Sequence, residues 1–209
     1  MQGKRAFLLK LFSVVVLSFV GMTSAYAQEG AFCATPEQVA LVRGALANKA
    51  PAPLGMAAAA LKMPEAMVAS ALPTTQAYGV KAVHFQAIWK SLETWSDATT
   101  FITKGPNLFE IHGSVGKGEP SKRSQFFNLY REGPGLAGHL RPDLYGSIYL
   151  LELSGKENTL RAVVFFDRSG ESVFSVYVPG EGVPATPTAI EQFAATAKLI
   201  RSLPSVCPG

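Results

Sequence analysis

The sequence predicts an α+β fold: a helical N-terminal part, a mainly antiparallel β-sheet and a closing C-terminal helix. Three observations predict it. Between Thr35 and Trp95 the apolar residues recur at helical spacing. After Asp97 they fall into short β-branched and aromatic runs separated by Gly, Pro, Asn and Ser, with no helical stretch between them, so consecutive strands pair antiparallel. From Thr188 onward the helical period returns.

Residues 1–27 stand apart. Lys4 and Arg5 precede an apolar run, Leu11–Met22, and a small-x-small end at Ala25 and Ala27. This pattern predicts a secretory signal peptide cleaved after Ala27, and hence a periplasmic or secreted protein. The run of about 12 residues is shorter than the roughly 20 a bilayer span needs, so no stable membrane insertion is expected after cleavage. Residues 28–209 then form one domain, helical over 35–97, with the sheet and last helix over 98–209. Without Lys4, Arg5 and Lys10 the 19 basic residues become 16, against 15 acidic ones. That balance lacks the basic footprint of a nucleic-acid binder.

The elements follow in order. "TPEQVALVRGALANK" places Thr35 as N-cap, Pro36 at the first helical position and Gln38 as capping-box partner. "LGMAAAALKMPEAMVASALP" reads as two short helices split at Met63–Pro64. They have the outline of a helix-turn-helix but no basic recognition helix, and read as a packing unit. Phe85, Ile88, Trp89, Leu92 and Trp95 form one helical stripe, with His84 at its rim. The strands are "TTFIT", "NLFEIHG", "FFNLYR", "SIYLLELS", "TLRAVVFFD" and "SVFSVYV", with a hairpin turn at Asp167–Glu171. In the last helix Thr188 and Glu191 are expected to form a capping box, and Ile190, Phe193, Ala194, Ala197 and Ile200 to face the sheet.

Few residues carry chemistry. Cys33 and Cys207 are the two cysteines, and in an exported protein such a pair is expected to form a disulfide. HExxH, GxSxG, Walker and GxGxxG motifs are absent. "GSVGKGEPSKRS" joins strand to strand, where no helix N-terminus awaits a phosphate, and reads as a flexible hairpin tip. His112 lies in a predicted strand, where alternation sets it with Glu110 opposite Phe109 and Ile111. It is either a solvated strand histidine or a ligand. His139 closes the loop "GPGLAGH", whose glycines would let a flat ligand approach. It is either an ordinary loop histidine or an iron ligand. Tyr130 and Tyr145 bracket that loop, and a tyrosine hydroxyl is also a possible iron ligand.

The order of these motifs resembles the haem-utilisation carrier family of the HutX/ChuX/HuvX type. The matching features are Ala71-Leu72-Pro73, Trp89 with Trp95, Thr99-Thr100, Glu110–Gly113, Phe127-Asn128-Leu129, Gly138-His139-Leu140 and the later "VVFFDRSGESVFSVYV". The resemblance implies a helical cap on a strongly curved, mainly antiparallel sheet, HemS/ChuX-like and often a homodimer. It implies a haem-binding carrier in haem-iron uptake or utilisation rather than an enzyme. Haem, as ligand and cargo, would lie in an apolar cleft on His139, with His112 or Tyr130 as a second iron ligand and Arg131 or Arg141 at the propionates. Haem donor or acceptor proteins of the envelope would be its partners. Thr103 departs from the pattern, standing where members often carry another histidine. The rival readings are an exported interaction or structural module that kept the fold and lost haem, and a haem-degrading enzyme.

Overall fold

A computed structural model describes residues 32–104, 107–179 and 185–207 of the chain. The signal peptide expected over residues 1–27 lies outside the described residues.

The first helix, α1 (Pro36–Leu46), starts as its sequence dictates. Thr35 Oγ1 accepts from the Gln38 amide at 3.4 Å, and Gln38 Oε1 accepts from the Thr35 amide at 2.8 Å. Next come α2 (Gly55–Leu61) and α3 (Glu65–Ser70), separated where Lys62 takes a left-handed conformation and Pro64 forbids continuation. Strand β1 (Ala77–Lys81) precedes a 3-10 turn at Ala82–His84 and α4 (Phe85–Leu92). The remaining strands are β2 (Thr99–Lys104), β3 (Asn107–His112), β4 (Lys117–Pro120), β5 (Phe127–Tyr130), β6 (Gly138–Leu140), β7 (Tyr145–Ser154), β8 (Thr159–Asp167) and β9 (Ser172–Tyr177). Helix α5 (Pro187–Arg201) closes the fold.

All strand pairs are antiparallel. They make a six-stranded sheet, ordered β1-β7-β8-β9-β2-β3, and a three-stranded sheet, β4-β5-β6. The large sheet is covered on both faces, which explains the near-continuous apolar runs of β7 and β8. Ile148, Leu150, Val163 and Phe165 point to one core, with α4 and α5. Tyr149, Leu151, Ala162, Val164 and Phe166 point to the other, under α1, α2 and α3. Thus the expected helical cap, antiparallel sheet and C-terminal helix are all present.

Four local expectations differ from the structure. No strand was expected at 77–81. A five-residue run with one glycine has little period of its own, and β1 exists because β7 offers it a partner. In the "GSVGKGEPSKRS" segment only the end, Ser121–Ser124, is a hairpin tip, since Lys117–Pro120 form β4 and pair with β5. Helix α5 begins two residues early: Thr186 is the N-cap, accepting from the Ala189 amide at 3.2 Å, and Pro187 takes the first position. Its buried face is then Ala189, Phe193, Thr196 and Ile200, with Ile190 exposed. Trp95 is buried, as its place in the stripe implied, but it lies beyond the end of α4, where Nε1 donates to Thr196 Oγ1 at 3.0 Å.

The two edges of the large sheet are unlike. Outside β1, Ser205 bridges Val80 and the Val206 amide donates to Gly79 O at 2.8 Å. Cys207 is joined there to Cys33 in the expected disulfide, with the Tyr149 hydroxyl 3.6 Å from Cys207 Sγ. Outside β3 no strand pairs among the described residues. The disulfide closes a sequence separation of 174 residues. Reduction, or the double change Cys33→Ser with Cys207→Ser, is expected to lower the unfolding free energy by about 2–5 kcal/mol, measured by denaturant titration with and without reductant.

At the start of α3, half-buried Glu65 lies near Glu171 of the β8–β9 turn. Burial first, and then the Glu171 charge, push its carboxyl up to about 7. The folded chain therefore holds this proton more tightly than the unfolded one. Its contribution to stability is full below the ordinary value of 4.5 and is lost as pH rises through about 7. Glu65→Gln should flatten that slope and raise stability at pH 8 by about 1–3 kcal/mol, allowing for solvent screening, as thermal melts across pH 4–8 would report.

Candidate functional site

The three-stranded sheet presents one buried and one open face. Phe127 and Leu129 turn inward, and Asn128 and Tyr130 turn outward. Helix α4 holds this sheet from below. Trp89 Nε1 donates to Gly116 O at 3.2 Å, and Phe127 meets Phe85 edge-on at 5.1 Å. Gly118 lies so close to the Phe127 ring and Trp89 Nε1 that a Cβ would collide with both. Its amide donates to Glu93 Oε1 at 2.7 Å, and its carbonyl accepts from Lys90 Nζ at 3.1 Å. A second tie runs to the end of β3. Ser114 bridges Gly135, and the Leu136 amide donates to Ser114 O at 2.9 Å.

His139 sits in β6, opposite Asn128 on β5. This corrects its expected place in a loop. The turn glycines Gly133 and Gly135 precede it, and three residues, Gly-His-Leu, are too few to show a period in sequence. The ring is exposed, with Nδ1 2.8 Å from Asn128 Oδ1 and the Phe126 ring 5.8 Å away. Nε2 has no hydrogen-bond partner among the described residues. A Cβ built on Gly133 or Gly138 would meet open space, so the face beside His139 is uncluttered.

The other expected site residues are placed differently. Tyr130 is exposed on the outward face of β5. Arg141 is engaged: Nε and Nη2 donate to Asp143, and Nη2 also donates to Gln125. Its guanidinium stands over Phe126 and holds the Asp143 carboxyl below its ordinary range, chiefly by hydrogen bonding. Arg131 folds back onto Gly133 O. His112 is at the end of β3, with Nδ1 3.2 Å from Thr99 Oγ1 and Nε2 3.7 Å from Glu110. Its side chain is largely exposed, on the edge strand of the large sheet. Thr103 is exposed on β2, opposite Leu108 of β3. Among the described residues no cluster of three or more His, Cys, Asp or Glu could hold a metal ion.

Clefts among the described residues open at two places of interest. One of about 410 Å³ has aromatic lining from Phe85, Phe126, Phe127 and Tyr145 and polar lining from Gln86, Gln125 and Asp143, and adjoins His139 through Phe126. Sequence reasoning missed Val83 and Pro142 at its rim, because they belong to short 3-10 turns without an apolar period. Burial raises the pKa of the Tyr145 hydroxyl there, which keeps it neutral. The other cleft, about 860 Å³, lies between the α1–α2 connection and the β7–β8 turn, lined by Arg43, Leu46, Pro51, Leu153 and Asn158 among others. No histidine or tyrosine lines it.

A helical cap on a curved antiparallel sheet, with a second small sheet whose open face bears an exposed imidazole, defines an α+β architecture. Residues 79–196 match the family model for haem utilisation ChuX/HutX, and the chain belongs to that family. It is similar to the intracellular heme transport protein HutX of Vibrio cholerae, 27% identical over 118 residues, 56% of this chain and 60% of HutX. The chain thus spans little more than half of that curated relative. Among solved structures, ChuX, described as a heme binding protein, has a TM-score of 0.67 at 18% identity, covering 77% of this chain and 98% of ChuX. ChuS, described as an Escherichia coli heme oxygenase, has a TM-score of 0.60 at 15% identity, covering 76% of this chain and 48% of ChuS. At these identities the structural likeness shows the fold.

The comparison with HutX overturns one expectation. That relative is named as intracellular, and the periplasmic or secreted placement read from residues 1–27 does not stand. Its physical basis was a basic start and a short apolar run, a pattern of composition that does not fix a destination.

The site's attachment is itself testable. Gly135 has a φ of 136°, and a Cβ there would collide with the Ser114 backbone. Gly135→Ala should lower stability by about 1–3 kcal/mol and loosen the β6 strand, read as faster amide hydrogen exchange at residues 136–140.

Proposed function

We propose that this chain is a haem-binding carrier that takes haem as cargo on the outward face of β5 and β6. The observation that supports it most is the His139 imidazole, exposed with Nε2 facing no group of the described chain, on a glycine-cleared face beside Phe126 and the aromatic-lined cleft. Imidazole is a common iron ligand, and a flat macrocycle needs such an unobstructed, apolar approach. His139 is the proposed axial ligand, with Tyr130 as second candidate. Arg141 retains Nη1, and Arg131 can exchange its backbone contact, so these two are the proposed partners of the propionates. One imidazole on an open face suits a protein that must release its cargo.

The test is a hemin titration followed by absorption spectroscopy. Wild type should give a shifted Soret band that is stable to reductant in the presence of catalase, and His139→Ala should abolish or displace the shift. Reductant-dependent loss of the band would favour haem degradation instead. A spectrum identical to free hemin would sink the carrier reading and favour a module that kept the fold alone.

A further inference from the structure

His139 and Asn128 are directly opposed in the β5–β6 ladder, and Nδ1 of the one is 2.8 Å from Oδ1 of the other. An amide oxygen only accepts, so at that distance the imidazole nitrogen must be the donor. We propose that Asn128 is a positioning residue that holds His139 in its Nδ1–H tautomer, leaving the Nε2 lone pair directed outward as an electron-pair donor. This deepens the carrier reading, on which its relevance to haem iron rests.

The geometry leaves little freedom. Phe127 and Leu129, on either side of Asn128, are buried and pair with Leu140 and Gly138. A one-residue slip of β5 would expose both and bury Asn128, so the register that joins Asn128 to His139 is set by the core. Glu119 of β4 is opposite Asn128 on its other side. An ionised carboxylate accepts and never donates. Any contact Glu119 makes to this amide therefore falls on its NH2, which agrees with the oxygen facing the imidazole. The outer-shell partner of a metal-binding histidine does the same work, fixing tautomer and ring orientation together. Asn128 is neutral, so it orients the ring without making it as strong a donor as a carboxylate would. His112 shows the contrast: its Nδ1 meets a Thr99 hydroxyl, which can donate or accept and selects no tautomer.

The experiment starts without haem. In the 15N-labelled full chain, long-range 1H–15N spectra above the histidine titration should show His139 as the Nδ1–H tautomer. Asn128→Asp, which keeps an acceptor oxygen, should preserve it. Asn128→Leu should release it to a mixture, while the amide spectrum of the rest of the chain stays put. Hemin is then added to each protein. Asn128→Leu should bind about 10–100-fold more weakly. Asn128→Asp should bind and lower the iron midpoint potential, because a carboxylate makes the imidazole more basic. An Nε2–H tautomer in wild type, or a tautomer indifferent to Asn128→Leu, would overturn the assignment. A correct tautomer in a wild type that leaves hemin unchanged would instead overturn the carrier reading and leave the role of Asn128 in setting the tautomer intact.

Discussion

The structure depends on the seat of Trp89. Its ring lies where the large sheet, the small sheet and α4 converge, in contact distance of Phe85, Phe127, Phe165 and Phe174. Its one polar atom is satisfied by Gly116 O. A fully buried indole brings a large apolar area out of water, and its N–H demands a partner in return. Here that partner is the backbone just before β4, so the burial that builds the core also pins the small sheet. Lys90 and Glu93, one turn along α4, repeat the grip on Gly118. The outward row of Asn128 and His139 is therefore carried by the hydrophobic core beneath it. Its other face is packed into that core through Phe127, Leu129 and Leu136.

The parts of this arrangement legible in sequence are those with long periods or strong local chemistry. The stripe from Phe85 to Trp95, the capping box at Thr35 and the apolar runs of β7 and β8 each carry their own signal. What escaped was supplied by partners. Strand β1 exists by pairing with β7, and β4 and β6 by pairing with β5. The candidate site shows the same division. His139 stood out by its type and its glycines, but its bond to Asn128 crosses 11 positions and depends on the register of a three-residue strand. Nothing local announces that register. The engagement of Arg141 by Asp143 and Gln125 was equally invisible, since it depends on how the chain turns after β6.

Family membership and fold reinforce each other without being the same argument. The matched region, residues 79–196, runs from β1 to α5 and so includes both sheets and every candidate ligand. It excludes the three N-terminal helices and the cysteines. Those outer parts cover the second core of the large sheet and lock the ends of the described chain together. The ligand face and the stabilising wrap are thus separate pieces of the sequence, held together by β7 and β8, whose alternate residues serve both cores.

The unlike edges of the large sheet set a limit on assembly. The β1 side is occupied by residues 205–207 and clamped by the disulfide, whereas no strand pairs outside β3 among the described residues. A sheet with one sealed margin and one open margin can be extended in a single direction. Edge-to-edge joining of the large sheet through β3 would bring two copies together at one margin only, with residues 205–207 of each on the far side.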